Sequence, residues 1–315
     1  MDLIGITRNP IPSEAVSGML RAADGMQLRF AYWKATGHTK HGTVCLFTGR
    51  NEFIEKYFEV IADLRHRGFA VAIMDWRGQG GSGRALRNRR KGYVKDFSEF
   101  NSDLRQFMKE VVLPDCPAPF YAVAHSMGGN ILLRAARMRD CWFERIVLVS
   151  PMIRFASAGL PAAMPVVCKL SRLATFLGFG RFTPGTSVDE SGGVAQFEEN
   201  VLTSDPERFA RNEAVLDAEP ALRLGPPTFA WLSAACRSMS SIDNEAYPAS
   251  INVPLLIFGA GNDSVVSTRA IEDFAARLKA GSNIIIAKAR HEILQERDEL
   301  RRQFWAAFDA YIPGH

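Results

Sequence analysis

The chain has 315 residues, 47% of them apolar and 23% charged, with a net charge of +4. That balance excludes disordered and fibrous classes, and so slight a positive charge gives no support to nucleic-acid binding as a main function. The length admits one large domain or two ordinary ones, either able to bury a sizeable core.

The opening residues, "MDLIGITRNPIPSEAV", lack a basic start followed by an apolar core. No secretory signal is read there, and the expected compartment is the cytoplasm. "GMLRAADGMQLRFAYW" then reads as a hairpin turning at Asp24-Gly25. From that point short apolar runs, "TVCLF", "AVAIMDW", "FYAVAHS", "RIVLVSP", "PLLIFGAG" and "NIIIAKA", alternate with helix-like segments. Near-continuous apolar strands separated by helices predict a mostly parallel sheet covered on both faces. Between the first two runs, Phe58, Ile61, Ala62 and Leu64 sit at helical spacing and Gly68 suits the C-terminal cap.

After "RIVLVSP" the alternation stops. Residues 152–248 read as a helical insertion, rich in Pro and Gly, between two parts of an α/β core at 1–151 and 249–315. The most apolar stretch of the chain, 151–180, is broken by Arg154, Pro161, Pro165, Lys169 and Arg172, so it falls short of the ~20 apolar residues of a membrane span. Cys45, Cys116, Cys141, Cys168 and Cys236 are odd in number, scattered and without a C-x-x-C pair. They read as small core residues rather than a disulfide framework or a zinc site, and no metal is expected.

The chemistry gathers around "YAVAHSMGGNI", residues 121–131. Ser126 ends a strand and precedes a helix, close to the G-x-S-x-G pattern that lifts a serine hydroxyl above a parallel sheet. Ala124 stands in place of the first glycine and adds only a methyl group. Ser126 on its own could equally be a helix N-cap. A nucleophilic serine needs a histidine base and a carboxylate to orient it. Downstream of Ser126 the histidines are His291, in the loop after "NIIIAKA", and the terminal His315; the acid placed just after a strand is Asp263, in "PLLIFGAGNDSVVS". Asp189, Asp205, Asp217 and Asp243 fall in the insertion, and Asp273, Asp298 and Asp309 read as solvated helix faces. His125 reads as a buried, hydrogen-bonded residue projecting opposite to Ser126. The backbone N–H groups of Met127 and Arg50 are the candidate oxyanion donors, with the Arg50 side chain in solvent.

"RGQGGSG" satisfies G-x-G-x-x-G at Gly78, Gly80 and Gly83, but the continuation "RALRNRRKGYVKDF" has no apolar helical stripe. It therefore reads as a loop and not a dinucleotide site, and no organic cofactor is expected. Arg84, Arg87, Arg89, Arg90 and Lys91 form a solvated basic cluster that could also meet anionic lipid head groups.

With "GRNEFIEKY", "DWRGQGGSGR", "AHSMGGNI", "LTSDPERFARN", "GPPTFAWL", "GAGNDSVV" and "ARHEILQERDELR" in order, the chain resembles the α/β-hydrolase superfamily, in its bacterial lysophospholipase and monoacylglycerol-lipase-like branch. The resemblance covers nearly the whole chain. It implies a sheet with a helical cap, and it carries nucleophile, acid and base onto Ser126, Asp263 and His291. Where the family often shows H-G at the oxyanion loop, this chain has Thr48-Gly49. The implied activity is hydrolysis of a carboxylic ester of a lipid-like substrate, a lysophospholipid or monoacylglycerol, with 155–182 of the cap lining an acyl site and peripheral membrane contact at the inner face. Rivals are an acyltransferase or small-ester esterase on the same fold, and a binding protein on a hydrolase scaffold.

Overall fold

The six apolar runs and the hairpin become one eight-stranded sheet in a computed structural model that describes residues 2–37, 40–138, 141–156, 163–184 and 196–312. Its strands are β1 (Val16–Arg21), β2 (Gln27–Trp33), β3 (Thr43–Phe47), β4 (Ala70–Met74), β5 (Phe120–His125), β6 (Arg145–Val149), β7 (Leu255–Ala260) and β8 (Gly281–Ile286), in spatial order 1-2-4-3-5-6-7-8. The hairpin pairs antiparallel and joins β4 antiparallel; every other pair is parallel. All residues of β3, β4 and β7 are buried, which is why these runs carry no polar alternation. Strand order reverses at β3, which lies between β4 and β5, so the loops leaving β3 and β5 part in a crevice at the carboxyl edge of the sheet.

Helices α1 (Phe58–His66) and α9 (Asp298–Tyr311) cover one face and share a core with Leu46 and Phe258 through Ile61, Phe304 and Phe308. On the other face α2 (Ser98–Phe107), α4 (Met127–Ala135) and α8 (Thr268–Ala275) pack around Phe47, with Leu104, Leu132 and Ile271 buried. A one-turn α3 (Leu113–Asp115) leads into β5. Gly68 ends the α1 turn at φ +83°, in the left-handed region expected of a cap glycine.

Between β6 and β7 the described residues form α5 (Ala163–Ala174), α6 (Pro206–Ala218) and α7 (Phe229–Ile242) with short helical turns and no strand. α7, within 152–248, buries Trp231, Ala235 and Ile242 in the same cluster as Leu132 of α4. Two cysteines depart from their expected role: Cys168 of α5 and Cys236 of α7 form a disulfide with Cα atoms 5.8 Å apart. Sixty-eight residues separate them, so no local pattern signals a pairing that only the packing of α5 on α7 creates. Cys45 and Cys116 are buried free thiols, as expected of core residues, while Cys141 is half-buried.

The glycine-rich loop wraps a carboxylate of its own chain. A Cβ at Gly80, where φ is +52°, would lie 2.3 Å from the Asp75 carboxyl carbon, and the Gly81 N–H donates to Asp75 Oδ2 at 2.7 Å. Asp75 in turn pairs with Arg29, which also holds Glu55, and all three side chains are fully buried. After this loop no helix opens until α2 at Ser98.

Candidate active site

Ser126 stands at the β5–α4 junction with φ +50° and ψ −112°, a conformation that non-glycine residues rarely adopt. Its N–H is held by the Val149 carbonyl at 3.0 Å. The turn demands Gly128, because a Cβ there would sit 2.5 Å from the Phe47 carbonyl oxygen. At position 124 the sheet accepts a methyl: Ala124 is fully buried, paired between Phe47 and Leu148.

The three residues picked from different strand ends meet here. His291 Nε2 lies 2.9 Å from Ser126 Oγ, and His291 Nδ1 lies 2.8 Å from Asp263 Oδ2. Asp263 Oδ1 accepts the N–H groups of Val265 and Val266 at 2.8 and 2.9 Å, which fixes the carboxylate. Burial alone would push the Asp263 pKa up; the hydrogen bond and charge of His291, with the two backbone donors, outweigh it and hold the group below its ordinary value. Gly261 lets the β7 loop approach β8, since a Cβ there would fall 2.1 Å from the Ala287 carbonyl oxygen. Asp189 and His315 lie outside the described residues.

A charged cluster that the sequence reading missed lies against His291 and the Gly49 loop. Glu52 Oε2 accepts the Gly49 N–H, the Tyr57 hydroxyl at 2.7 Å and His125 Nδ1 at 3.1 Å. Lys56 Nζ bridges Glu52 Oε1 at 3.1 Å and Glu292 Oε1 at 2.5 Å. His125 is buried as expected, yet it does not point away from the catalytic loop: its ring centroid is 4.8 Å from that of His291, and its Nε2 lies 3.2 Å from the His291 carbonyl oxygen. Both ring nitrogens face acceptor oxygens, a surrounding that favours the doubly protonated ring. Burial by itself would favour the neutral ring, but the charge of Glu52 and its hydrogen bond raise the His125 pKa above 6.5. Glu52, penalised by burial, is held well below the usual carboxylate range by His125 and Lys56. A sequence signal existed in part: Glu52 and Lys56 stand one helical turn apart, directly after the oxyanion loop.

The oxyanion loop is pinned on both sides of Gly49. Gln79 Nε2 donates to the Gly49 carbonyl at 2.7 Å, and Trp76 Nε1 donates to the Thr48 carbonyl at 2.9 Å. Thr48-Gly49 thus obtains its support from Glu52, Gln79 and Trp76. Arg50 follows on this loop and Met127 opens α4, the places from which their N–H groups were expected to serve an oxyanion. The Arg50 side chain, expected in solvent, instead reaches between core and insertion. Its guanidinium donates to the Gly225 carbonyl, and Cζ lies 5.2 Å from the Trp231 ring centroid.

A strained serine at a strand-to-helix elbow, an acid after β7 and a histidine after β8 define an α/β-hydrolase. The chain belongs to the Hydrolase_4 family, described as serine aminopeptidase S33, whose sequence pattern matches residues 38–298. It is 31% identical over 286 residues to lysophospholipase L2 of Escherichia coli K12, covering 88% of this chain and 82% of that protein. Monoglyceride lipase of Rattus norvegicus is 32% identical over 131 residues, 42% of this chain and 41% of that protein. Among solved structures, a soluble variant of Saccharomyces cerevisiae monoglyceride lipase in complex with a substrate analog superposes with TM-score 0.72 at 20% identity, covering 94% of this chain and 96% of that one. A thermostable carboxyl esterase from Bacillus coagulans reaches 0.76 at 18% identity, over 95% and 98% of the two chains.

Proposed function

We propose that the chain hydrolyses carboxylic esters of lipid-like substrates, lysophospholipids or monoacylglycerols, through an acyl-enzyme on Ser126. The observation that carries this reading is the unbroken line Asp263 to His291 to Ser126, at 2.8 and 2.9 Å, on a strained elbow. As Ser126 Oγ adds to the ester carbonyl carbon, His291 Nε2 takes its proton. The resulting oxyanion is received by the N–H groups of Arg50 and Met127. His291 then returns the proton to the departing glycerol oxygen, and water repeats the sequence on the acyl-enzyme with the same base.

The names of the similar proteins support an ester substrate over the peptide of the family's description. An aminopeptidase must hold an α-ammonium with a free carboxylate, and the carboxylates behind this triad, Glu52 and Glu292, are already matched by Lys56 and His125. Ser126→Ala is expected to abolish ester turnover and labelling by a fluorophosphonate probe in a protein that still folds. Labelling that persists at another serine overturns the assignment, and product analysis with an added alcohol acceptor separates hydrolysis from acyl transfer.

The expected acyl-lining segment supports a different role within the same reading. Leu170, Leu173, Phe176, Leu177, Phe179 and Phe182 are each more than half exposed, and Phe176 is 85% exposed. These side chains form an outward face and not an enclosed lining; of 155–182, residues 157–162 lie outside the described residues. Lys169, Arg172 and Arg181 share that segment with no acid, and Lys91 Nζ of the basic loop lies 5.5 Å from the Phe182 ring centroid. An apolar face rimmed by cations matches an anionic lipid surface, and each basic residue there adds about 1 kcal/mol.

A further inference from the structure

Arg50 is a half-buried cation with no counter-ion among the described residues. Arg29, Arg77, Arg208 and Arg301 are also sunk into the fold, and each is matched by at least two carboxylates. Arg50 makes one hydrogen bond among the described residues, to the Gly225 carbonyl, and its Nε is buried with no acceptor. Gly92 leaves room beside it, since a Cβ there would stand 2.9 Å from Nη2. Burial pulls its pKa down only to about 10, so the group remains charged at neutral pH. A desolvated guanidinium with no carboxylate beside it is costly; Arg84 shares that condition but spends its donors on the carbonyls of Gly80, Ser82 and Arg89, whereas Arg50 has one carbonyl.

Its position suggests what neutralises it. The Arg50 backbone belongs to the loop that faces the elbow: a Cβ at Gly128 would touch the carbonyls of Phe47 and Thr48, and one at Gly49 would lie 2.8 Å from His125 Nδ1. In a lysophospholipid, the path from ester carbonyl carbon to phosphorus has as many covalent bonds as the path from an arginine backbone nitrogen to Cζ. A carbonyl received by the N–H of Arg50 therefore places a phosphate within reach of the same residue's guanidinium.

We infer that the Arg50 guanidinium receives the phosphate of a phosphate-bearing acylglycerol, so that the site selects lysophospholipids over neutral monoacylglycerols. The inference rests on the proposed ester hydrolysis at Ser126 and assigns its substrate class. The planar guanidinium offers its Nη donors to phosphate oxygens in a fork that an ammonium cannot match in geometry.

The test compares a lysophosphatidylglycerol and a monoacylglycerol with the same decanoyl chain, below their aggregation limits, in wild type, Arg50→Lys and Arg50→Met. The readout is the ratio of the two kcat/KM values, which removes any disturbance of the loop common to both. Loss of a charge-assisted hydrogen bond predicts a ratio lower by about tenfold to a hundredfold in Arg50→Met, with a partial loss in Arg50→Lys. Glycerol 3-phosphate, but not glycerol, should slow fluorophosphonate labelling of Ser126 in wild type and lose that effect in Arg50→Met. A ratio unchanged within twofold, with both substrates falling together, would show that Arg50 merely braces the insertion and overturns the inference. If wild type cleaves neither lipid, the ester reading fails separately, and labelling protection by glycerol 3-phosphate still decides whether Arg50 binds phosphate. Should Arg50→Met not fold, Arg50→Lys carries both readouts.

Discussion

Replacing Glu52 by glutamine keeps the shape of the side chain and removes one charge from a buried set that otherwise sums to zero, Glu52 and Glu292 against Lys56 and His125. All four side chains are less than a tenth exposed, so solvent does little to screen the cation left over. Breaking a buried ion set by removing one partner costs about 3–5 kcal/mol. His125 can relieve the excess by giving up a proton, but it then loses either the bond to residue 52 or the bond to the His291 carbonyl. Each neutral hydrogen bond lost is worth about 1 kcal/mol, so the catalytic loop should loosen and kcat on a soluble ester should fall by about fivefold or more. Urea unfolding with the disulfide intact should register a stability loss of at least ~3 kcal/mol. Lys56→Met in the Glu52→Gln background should then cost less than in wild type, with a coupling of about 1–3 kcal/mol. A Glu52→Gln loss under ~1 kcal/mol, or additive losses in the double variant, would refute the closed charge set and the imidazolium with it.

The remaining predictions follow from single observations. Because the folded His125 pKa is raised above 6.5, its contribution is fully present below the unfolded value and is lost as pH rises through the folded one; the stability difference between wild type and His125→Asn should shrink on that alkaline side, and a constant difference from pH 6 upward contradicts it. Glu52 and Asp263, both lowered, act oppositely: their contributions are present above the unfolded carboxylate range and lost as pH falls through the folded values, so Asp263→Asn should flatten the acid limb of the unfolding curve. Cys168→Ser with Cys236→Ser opens a loop whose closure is worth about 4 kcal/mol in the chain-entropy model; hydrogen exchange should quicken in α5 before the sheet, and equal protection in both proteins would count against the crosslink. Phe176→Glu should reduce flotation with phosphatidylglycerol vesicles at least fivefold, whereas unchanged flotation would remove the proposed lipid face.

The sheet was legible because each central strand is buried on both sides and therefore nearly uniform in its side chains, as in Val44, Leu46, Val71 and Ile73. The same reasoning picked three residues that the fold brings together: Ser126, Asp263 and His291 each follow a strand, and parallel strands deliver their trailing loops to one edge. What stayed hidden depends on contacts far apart in the chain. His125 was assigned by strand alternation, a rule that places a side chain on a face but says nothing of the His291 loop, 166 residues on, that reaches the same place. Cys168 and Cys236 look like isolated core residues until α5 lies against α7.

Arg50 shows how the anchoring of the Thr48-Gly49 loop bears on the residue that follows it. With threonine and not histidine before Gly49, the oxyanion loop is anchored by its backbone, through Glu52, Gln79 and Trp76. Those three bonds use the main-chain groups of Thr48 and Gly49 and leave the next side chain free of any anchoring duty within the loop. That side chain then crosses to the insertion, where Trp231 and the Gly225 carbonyl hold its guanidinium. The loop is held by neutral and acidic partners, Gln79, Trp76 and Glu52, while its single cation is enclosed where the insertion meets the core. An apolar side chain could rest on Trp231 but would leave the Gly225 carbonyl without its donor, and it is the comparison of Arg50→Met with Arg50→Lys that separates this brace from a use of the charge.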